Sequence, residues 1–197
     1  MSKEKLVELL ENVDKALKRS ASSPWDEYVP FVSHGSTHTA FLTNEIGEPS
    51  LYNHLCYKLM VATDQEEFNL IINSPGGILD SAFMIADAIE HSKAKVKCKL
   101  AGTVASAATI ITMSCKEIET SNNLAFMIHN YSSSGAQGKG HEMKARQTFI
   151  DRELNKSFKK YYLGFLSAQE IEDVIEGKDI WLNSEEVEER WQQKRCL

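Results

Sequence analysis

Residues 102–109 read GTVASAAT, a single serine among small neighbours directly after the strand-like run VKCKLAG. A strand-to-helix junction leaves the first N–H groups of the helix unpaired, and the helix dipole favours negative charge there. Ser106 at such a junction is a candidate nucleophile. Ala105, Ala107 and Ala108 leave room for a carbonyl, and the Ala107 amide is placed to donate to an oxyanion. A serine hydroxyl is a weak nucleophile and needs a base. Of the six histidines, His34 and His38 fall in a connector, His54 and His91 on helices, and His141 at a helix start. Only His129 ends a strand of buried character, LAFMIHN, where a base is held rigidly. The third feature is SPGG at 74–77, which closes the run FNLIIN and opens a helix. Its Gly76 or Gly77 amide offers a second donor, since glycine permits close backbone approach. Taken singly, each feature also reads as ordinary structure: a tight helix start, a satisfied imidazole, a plain βα turn. Together they point to acyl transfer.

These residues need a scaffold. Residues 3–18 put Leu6, Leu10, Val13 and Leu17 on one helical face, and SASSPWDEYVPF then reads as an irregular connector. TAFLT (39–43) is a strand, PSLYNHLCYKLMVAT a helix, and FNLIIN (68–73) a strand apolar enough to be buried on both faces. Ile78, Ala82, Ile85, Ala86 and Ile89 share one face of a helix over 78–92, and VKCKLAG (96–102) completes a strand–helix–strand unit. A short apolar helix follows Ser106, then strands KEIET and LAFMI with a turn at Asn122-Asn123. SSSGAQGKG is glycine-shaped, and a helix over about 141–165 carries Met143, Ile150, Leu154, Phe158, Tyr161 and Phe165 at helical spacing. Ser167 with Glu170 and Asn183 with Glu186 have capping-box spacing, Gly177 suits a helix end, and IWL (180–182) is a short strand. The chain divides into an N-terminal helix and connector (1–38) and an α/β domain (39–197).

Composition narrows the function. With 28 acidic and 22 basic residues the net charge is −6, which argues against nucleic acid as a partner. No apolar stretch reaches bilayer length, and the N-terminus lacks the apolar centre of a signal peptide, so the expected location is the cytoplasm, with no membrane partner. Cys56, Cys98, Cys115 and Cys196 are scattered without a Cys-x-x-Cys pair, so neither a metal nor another cofactor is expected. No phosphate loop of the G-x-x-x-x-G-K-[ST] type is present.

INSPGGILDSAFMIADAI, GTVASAAT, FMIHN and GKGHE occur in an order that resembles the Clp protease proteolytic subunit family, over roughly 39–190. The resemblance implies a ClpP/crotonase-like spiral of ββα units with a protruding helical handle. It implies a serine endopeptidase that cleaves peptides or unfolded proteins inside an oligomeric chamber. Ser106 is then the nucleophile, His129 the base, and the amides of Gly76 and Ala107 the oxyanion hole. A homo-oligomeric ring, usually two stacked heptamers, and a separate ATP-driven unfoldase are the implied partners, and SSSGAQGKG becomes the strand that lines the substrate groove. The family's acid precedes a D-x-aromatic-L segment, here Asp179-Ile180-Trp181-Leu182 within EIEDVIEGKDIWLN. Counting back from that segment reaches Ile175, and counting forward from Ile171-Glu172 reaches Val174; neither can orient an imidazole. Asp179, at a strand entrance after Gly177, is the favoured acid and Asp173 the alternative. The N-terminal helix also departs from the family's pore-gating segment. Two other readings stay open: a weak or inactive structural ring subunit, and a crotonase-type acyl-CoA enzyme, which would need neither Ser106 nor His129.

Overall fold

The computed structural model describes residues 29–132 and 138–195. The expected N-terminal helix, most of the connector, residues 133–137 and Cys196 lie outside them. In chain order the elements are β1 (Phe31–His34), β2 (Thr37–Leu42), a 3-10 turn (Pro49–Tyr52), α1 (Asn53–Val61), β3 (Glu67–Ser74), α2 (Leu79–His91) and β4 (Lys95–Ala105). They continue with α3 (Ala107–Ser114), β5 (Glu117–Thr120), β6 (Ala125–Ile128), α4 (Gly140–Tyr162), α5 (Ala168–Ile175), β7 (Ile180–Leu182) and α6 (Ser184–Arg195). The fold is α/β. The strands form one sheet in the order β1-β2-β3-β4-β6-β7, with β5 also on β4. The inner pairings are parallel and the two outer ones antiparallel.

Strand alternation decides what the sheet buries. In β3, Phe68, Leu70, Ile72 and Ser74 face the core while Glu67, Asn69 and Ile71 are half-exposed. The expectation that FNLIIN is buried on both faces therefore fails. One face packs on Leu55 and Leu59 of α1, Ile85 and Ile89 of α2 and Ile111 of α3, all at most 2% exposed. The other face carries ion pairs: Lys95–Glu117 at 2.7 Å, Lys97–Glu67 at 3.0 Å and Lys99–Glu119 at 2.8 Å. Such exposed pairs order the surface more than they stabilise it.

Two further details differ from the sequence expectation, and a third adds to it. Phe31, assigned to the connector, opens a β1–β2 hairpin whose tight turn places Gly35 at φ 60°. Its His38 is buried, with Nδ1 2.8 Å from Ser33 Oγ and Nε2 3.0 Å from Glu66 Oε1. Second, β4 does not stop at Gly102 but runs on to Ala105, because its pairing with β3 shifts by two residues, from Ile72↔Leu100 to Ser74↔Val104. Asn73 holds that shift, accepting from the Thr103 N–H at 3.1 Å. Third, β5 and β6 do not pair with each other. Both lie parallel to β4, β5 along Lys97–Leu100 and β6 along Thr103–Ala105. The Asn122-Asn123 turn is thus a step between two consecutive partners of one strand.

The helical arm ends where its apolar spacing becomes productive. Residues 140–149 of α4 are exposed, and only Phe158, Tyr161 and Tyr162 of this helix are buried. Both capping boxes form. The Ser167 N–H donates to Glu170 Oε2 at 2.8 Å and the Glu170 N–H returns to Ser167 Oγ at 3.2 Å. Asn183 and Glu186 repeat the exchange at 2.8 and 3.0 Å. Arg190 of α6 forks the Glu170 carboxylate at 2.8 and 3.0 Å. These donors, Arg190 foremost, pull the Glu170 carboxyl from 4.5 to about 2. A pKa depressed in the folded state gives stability that is present above the unfolded value and lost as pH falls through the folded one. The midpoint of thermal unfolding is expected to drop between about pH 4.5 and 2, and Glu170→Gln to flatten that drop. Melting curves across this window check both.

Candidate active site

Ser106 is the hinge between β4 and α3, and its backbone is unusual. It sits at φ 55°, ψ −128°, the sole non-glycine residue with positive φ among the described residues. Such a conformation costs about 1–3 kcal/mol and persists only where surrounding contacts impose it. Here they do. The Ser106 N–H donates to the Met127 carbonyl of β6 at 2.9 Å. The Ser106 carbonyl accepts from the Thr109 N–H at 2.9 Å and from Thr109 Oγ1 at 2.6 Å. The Thr109 hydroxyl lies 2.5 Å from the hydroxyl of Tyr162, a fully buried residue at the base of α4. The SPGG turn closes over the same point: a β-carbon on Gly76 would lie 2.5 Å from Ser106 Cβ and 2.7 Å from the Ala105 carbonyl oxygen. A strained strand-to-helix turn of this kind lifts a serine hydroxyl clear of its own backbone.

The β4–β6 pairing brings His129 to Ser106. Ala105 pairs with Met127, so Ser106 and His129 both emerge just past the C-terminal ends of neighbouring parallel strands. They line one small cavity of about 50 Å³ with Gly77, Ile110, Phe158 and Tyr162. Its lining is mixed: Leu79, Ala107, Ile110 and Phe158 are apolar, while Ser106, His129, Tyr131, Ser132 and Tyr162 bring polar groups to it. Two amides stand at its edge. Among the described residues nothing accepts from the N–H of Ala107, the first residue of α3, or from that of Gly77. The Gly76 N–H is directed at Ser74 Oγ, 3.2 Å away.

No carboxylate among the described residues hydrogen-bonds His129. Asp173 is held by Lys178 Nζ and Gln169 Nε2, each at 3.0 Å, and this engagement, Lys178 first, keeps its carboxyl below the usual range. Asp179 is exposed. It precedes the Ile180↔Ile128 pair, so it stands one rung beyond the β6–β7 ladder, level with His129. Ile175 meets the histidine segment through its backbone: its carbonyl accepts from Asn130 Nδ2 at 2.8 Å. Asn130, Tyr131, Thr109 and Tyr162 were not singled out from the sequence. Their bonds span 45 residues for Asn130–Ile175 and 53 for Thr109–Tyr162, so no local pattern announces them.

Among the described residues no three His, Cys, Asp or Glu side chains converge as metal ligands, and no helix is long and apolar enough to cross a membrane. Cys56, Cys98 and Cys115 are buried free thiols, and burial pushes Cys56 up to about 12.

Known proteins resemble this chain over most of its length. The chain is 28% identical over 146 residues to the ATP-dependent Clp protease proteolytic subunit 3 of Rhizobium meliloti, covering 70% of this chain and 72% of that protein. The protein of the same description from Rhizobium etli is 28% identical over 148 residues, covering 71% and 73%. A mutant ClpP1 from Listeria monocytogenes superposes with a TM-score of 0.58 at 22% identity, over 77% of this chain and 86% of that one, a likeness of fold. The profile described as Clp protease matches residues 33–190, a span that runs from the β1–β2 hairpin through Ser106 and His129 into α6. With most of its length matched and its fold shared, the chain belongs to the Clp protease family.

Proposed function

We propose that this chain is a serine-type endopeptidase subunit acting by acyl transfer. The observation that carries the reading is the strained Ser106 turn sharing one cavity with His129. Ser106 Oγ attacks the peptide carbonyl while His129 takes the hydroxyl proton. The tetrahedral oxyanion is received by the Ala107 amide and the glycine turn, where the Gly77 N–H has no acceptor among the described residues and that of Gly76 is directed at Ser74 Oγ. Collapse releases the amine with the proton from His129, and water then hydrolyses the acyl-serine by the same route. Asp179, level with His129, is the proposed orienting acid, with Asp173 its alternative once freed from Lys178. The exposed half of α4 and the apolar Tyr57, Met60 and Val61 on α1, each more than half exposed, suit a homo-oligomeric ring of stacked heptamers enclosing the site. Supply of unfolded chains then falls to a separate ATP-driven unfoldase.

A slow or inactive ring subunit is the alternative, favoured by the lack of a carboxylate on His129 among the described residues. A fluorophosphonate probe separates the two. The assembled protein is expected to be labelled on Ser106, with fluoride displaced as the Oγ–P bond forms, and Ser106→Ala to remain unlabelled. A correctly assembled protein that neither labels nor cleaves short peptides is the inactive subunit. Light scattering that returns a stable monomer removes the chamber.

A further inference from the structure

The segment that leaves His129 is fastened on two sides, and neither fastening is a carboxylate on the imidazole. Asn130 uses both ends of its amide. Its Nδ2 donates to the Ile175 carbonyl at 2.8 Å, and its Oδ1 accepts from the Tyr131 N–H at 2.8 Å. Ile175 is the last residue of α5, so its carbonyl has no acceptor role inside its own helix, and Asn130 is its partner among the described residues. The next residue reaches the opposite way. The Tyr131 hydroxyl donates to Asp151 on α4 and receives a hydrogen bond from Gln147, itself 2.8 Å from Asp151. The chain carrying His129 is thereby stretched between the end of α5 and the arm. Tyr131 also lines the cavity with Ser106 and His129.

We propose that Asn130 is a positioning residue for His129, fixing the base through its own backbone where an orienting acid is not engaged. The proposal rests on the serine-peptidase reading. Reaction geometry makes it consequential: a misplacement of about 1 Å costs roughly 100-fold in rate. The side chain cannot swing without giving up both bonds at once, and the rung after the last β6–β7 pair offers no ladder bond to replace them.

The test is peptide hydrolysis and fluorophosphonate inactivation on assembled protein. Asn130→Ala is expected to lower kcat by about 10- to 100-fold with KM within about twofold, and to slow labelling of Ser106 in the same proportion. Asn130→Asp retains the size and the acceptor for Tyr131 but cannot donate to Ile175, so it is expected to lose as much. Tyr131→Phe, which releases Asp151 and keeps the ring, is expected to lose less. An unchanged kcat in both Asn130 variants overturns the proposal. So does a loss confined to KM or to melting temperature, or failure of both variants to assemble, since each would make Asn130 structural only. Wild-type protein that assembles yet is never labelled overturns the peptidase reading and this proposal with it. Labelled wild type with unaffected variants removes only the positioning role.

Discussion

Ser106→Gly is expected to leave the protein more stable and without peptidase activity. The native residue holds φ 55° and ψ −128°, a region that glycine enters freely and a residue with a β-carbon does not. Relief of that strain gains about 1–3 kcal/mol, from which about 0.5–1 kcal/mol is subtracted for the freer unfolded glycine chain. For a chain of this size a net gain of about 1 kcal/mol raises the melting temperature by about 2–4 °C. Ser106→Ala keeps the β-carbon and therefore the strain, so its melting temperature is expected to stay with the wild type. Both variants lose the hydroxyl, and hydrolysis should fall by about 10⁴-fold or more, as when a catalytic serine is removed elsewhere. Melting curves of the two variants side by side, with a fluorogenic peptide assay, check the pair. Coincident melting of Gly and Ala variants would show that the turn stores no strain. Activity surviving in either would remove Ser106 as nucleophile.

The second large effect is expected at Gly76. A methyl group there meets Ser106 Cβ at 2.5 Å, the Ala105 carbonyl oxygen at 2.7 Å and the Ala107 nitrogen at 2.9 Å. Two of these are backbone atoms, held by the β4–β6 ladder and by the start of α3, so they cannot yield cheaply. The native φ of +96° adds a conformational penalty of about 1–2 kcal/mol to an overpacking cost of about 1–3 kcal/mol. Gly76→Ala should therefore lose about 3 kcal/mol and drive the Ser106 turn outward, lowering hydrolysis at least about 100-fold. Gly177→Ala isolates the first penalty. Its φ is +101°, but nothing lies within 4 Å of the added carbon. That variant is expected to lose about 1 kcal/mol and no activity. Equal activity losses in the two would show that steric contact at Ser106 is not the cause.

What could be read beforehand follows from how far each feature reaches along the chain. The run into SPGG, the amphipathic α2 and the Ser167–Glu170 cap are written in neighbouring residues, and the structure agrees with them. The β1–β2 hairpin leaves little trace in the sequence because Phe31–His34 is a largely exposed edge strand with little apolar alternation. The length of β4 was hidden by the Gly102 that marks its shift, which looks like a strand end although Asn73 across the sheet is what makes it a shift. FNLIIN looked two-faced because Ile71 is apolar, yet it shares its face with Lys97 and Lys99. Ser106 and His129 were each visible, while their shared cavity depends on β6 choosing β4 as neighbour. The acid could not be read at all. Whether Asp173 or Asp179 turns toward an imidazole depends on Lys178, Gln169 and the end of β7 together.

The two-residue shift in β4 also bears on when the protein becomes chemically competent. Ser106 is fixed from one side by Gly76 and from the other by Met127, and neither pairing is local in sequence. Contacts that close long loops form slowly and only as the sheet consolidates. A chain emerging from synthesis therefore carries its serine in a relaxed backbone, with His129 not yet beside it. The hydroxyl is raised into place only once β3, β4 and β6 lie side by side, so under the proposed peptidase function the geometry for cutting polypeptides arises last, in a molecule that has itself ceased to be an unfolded one.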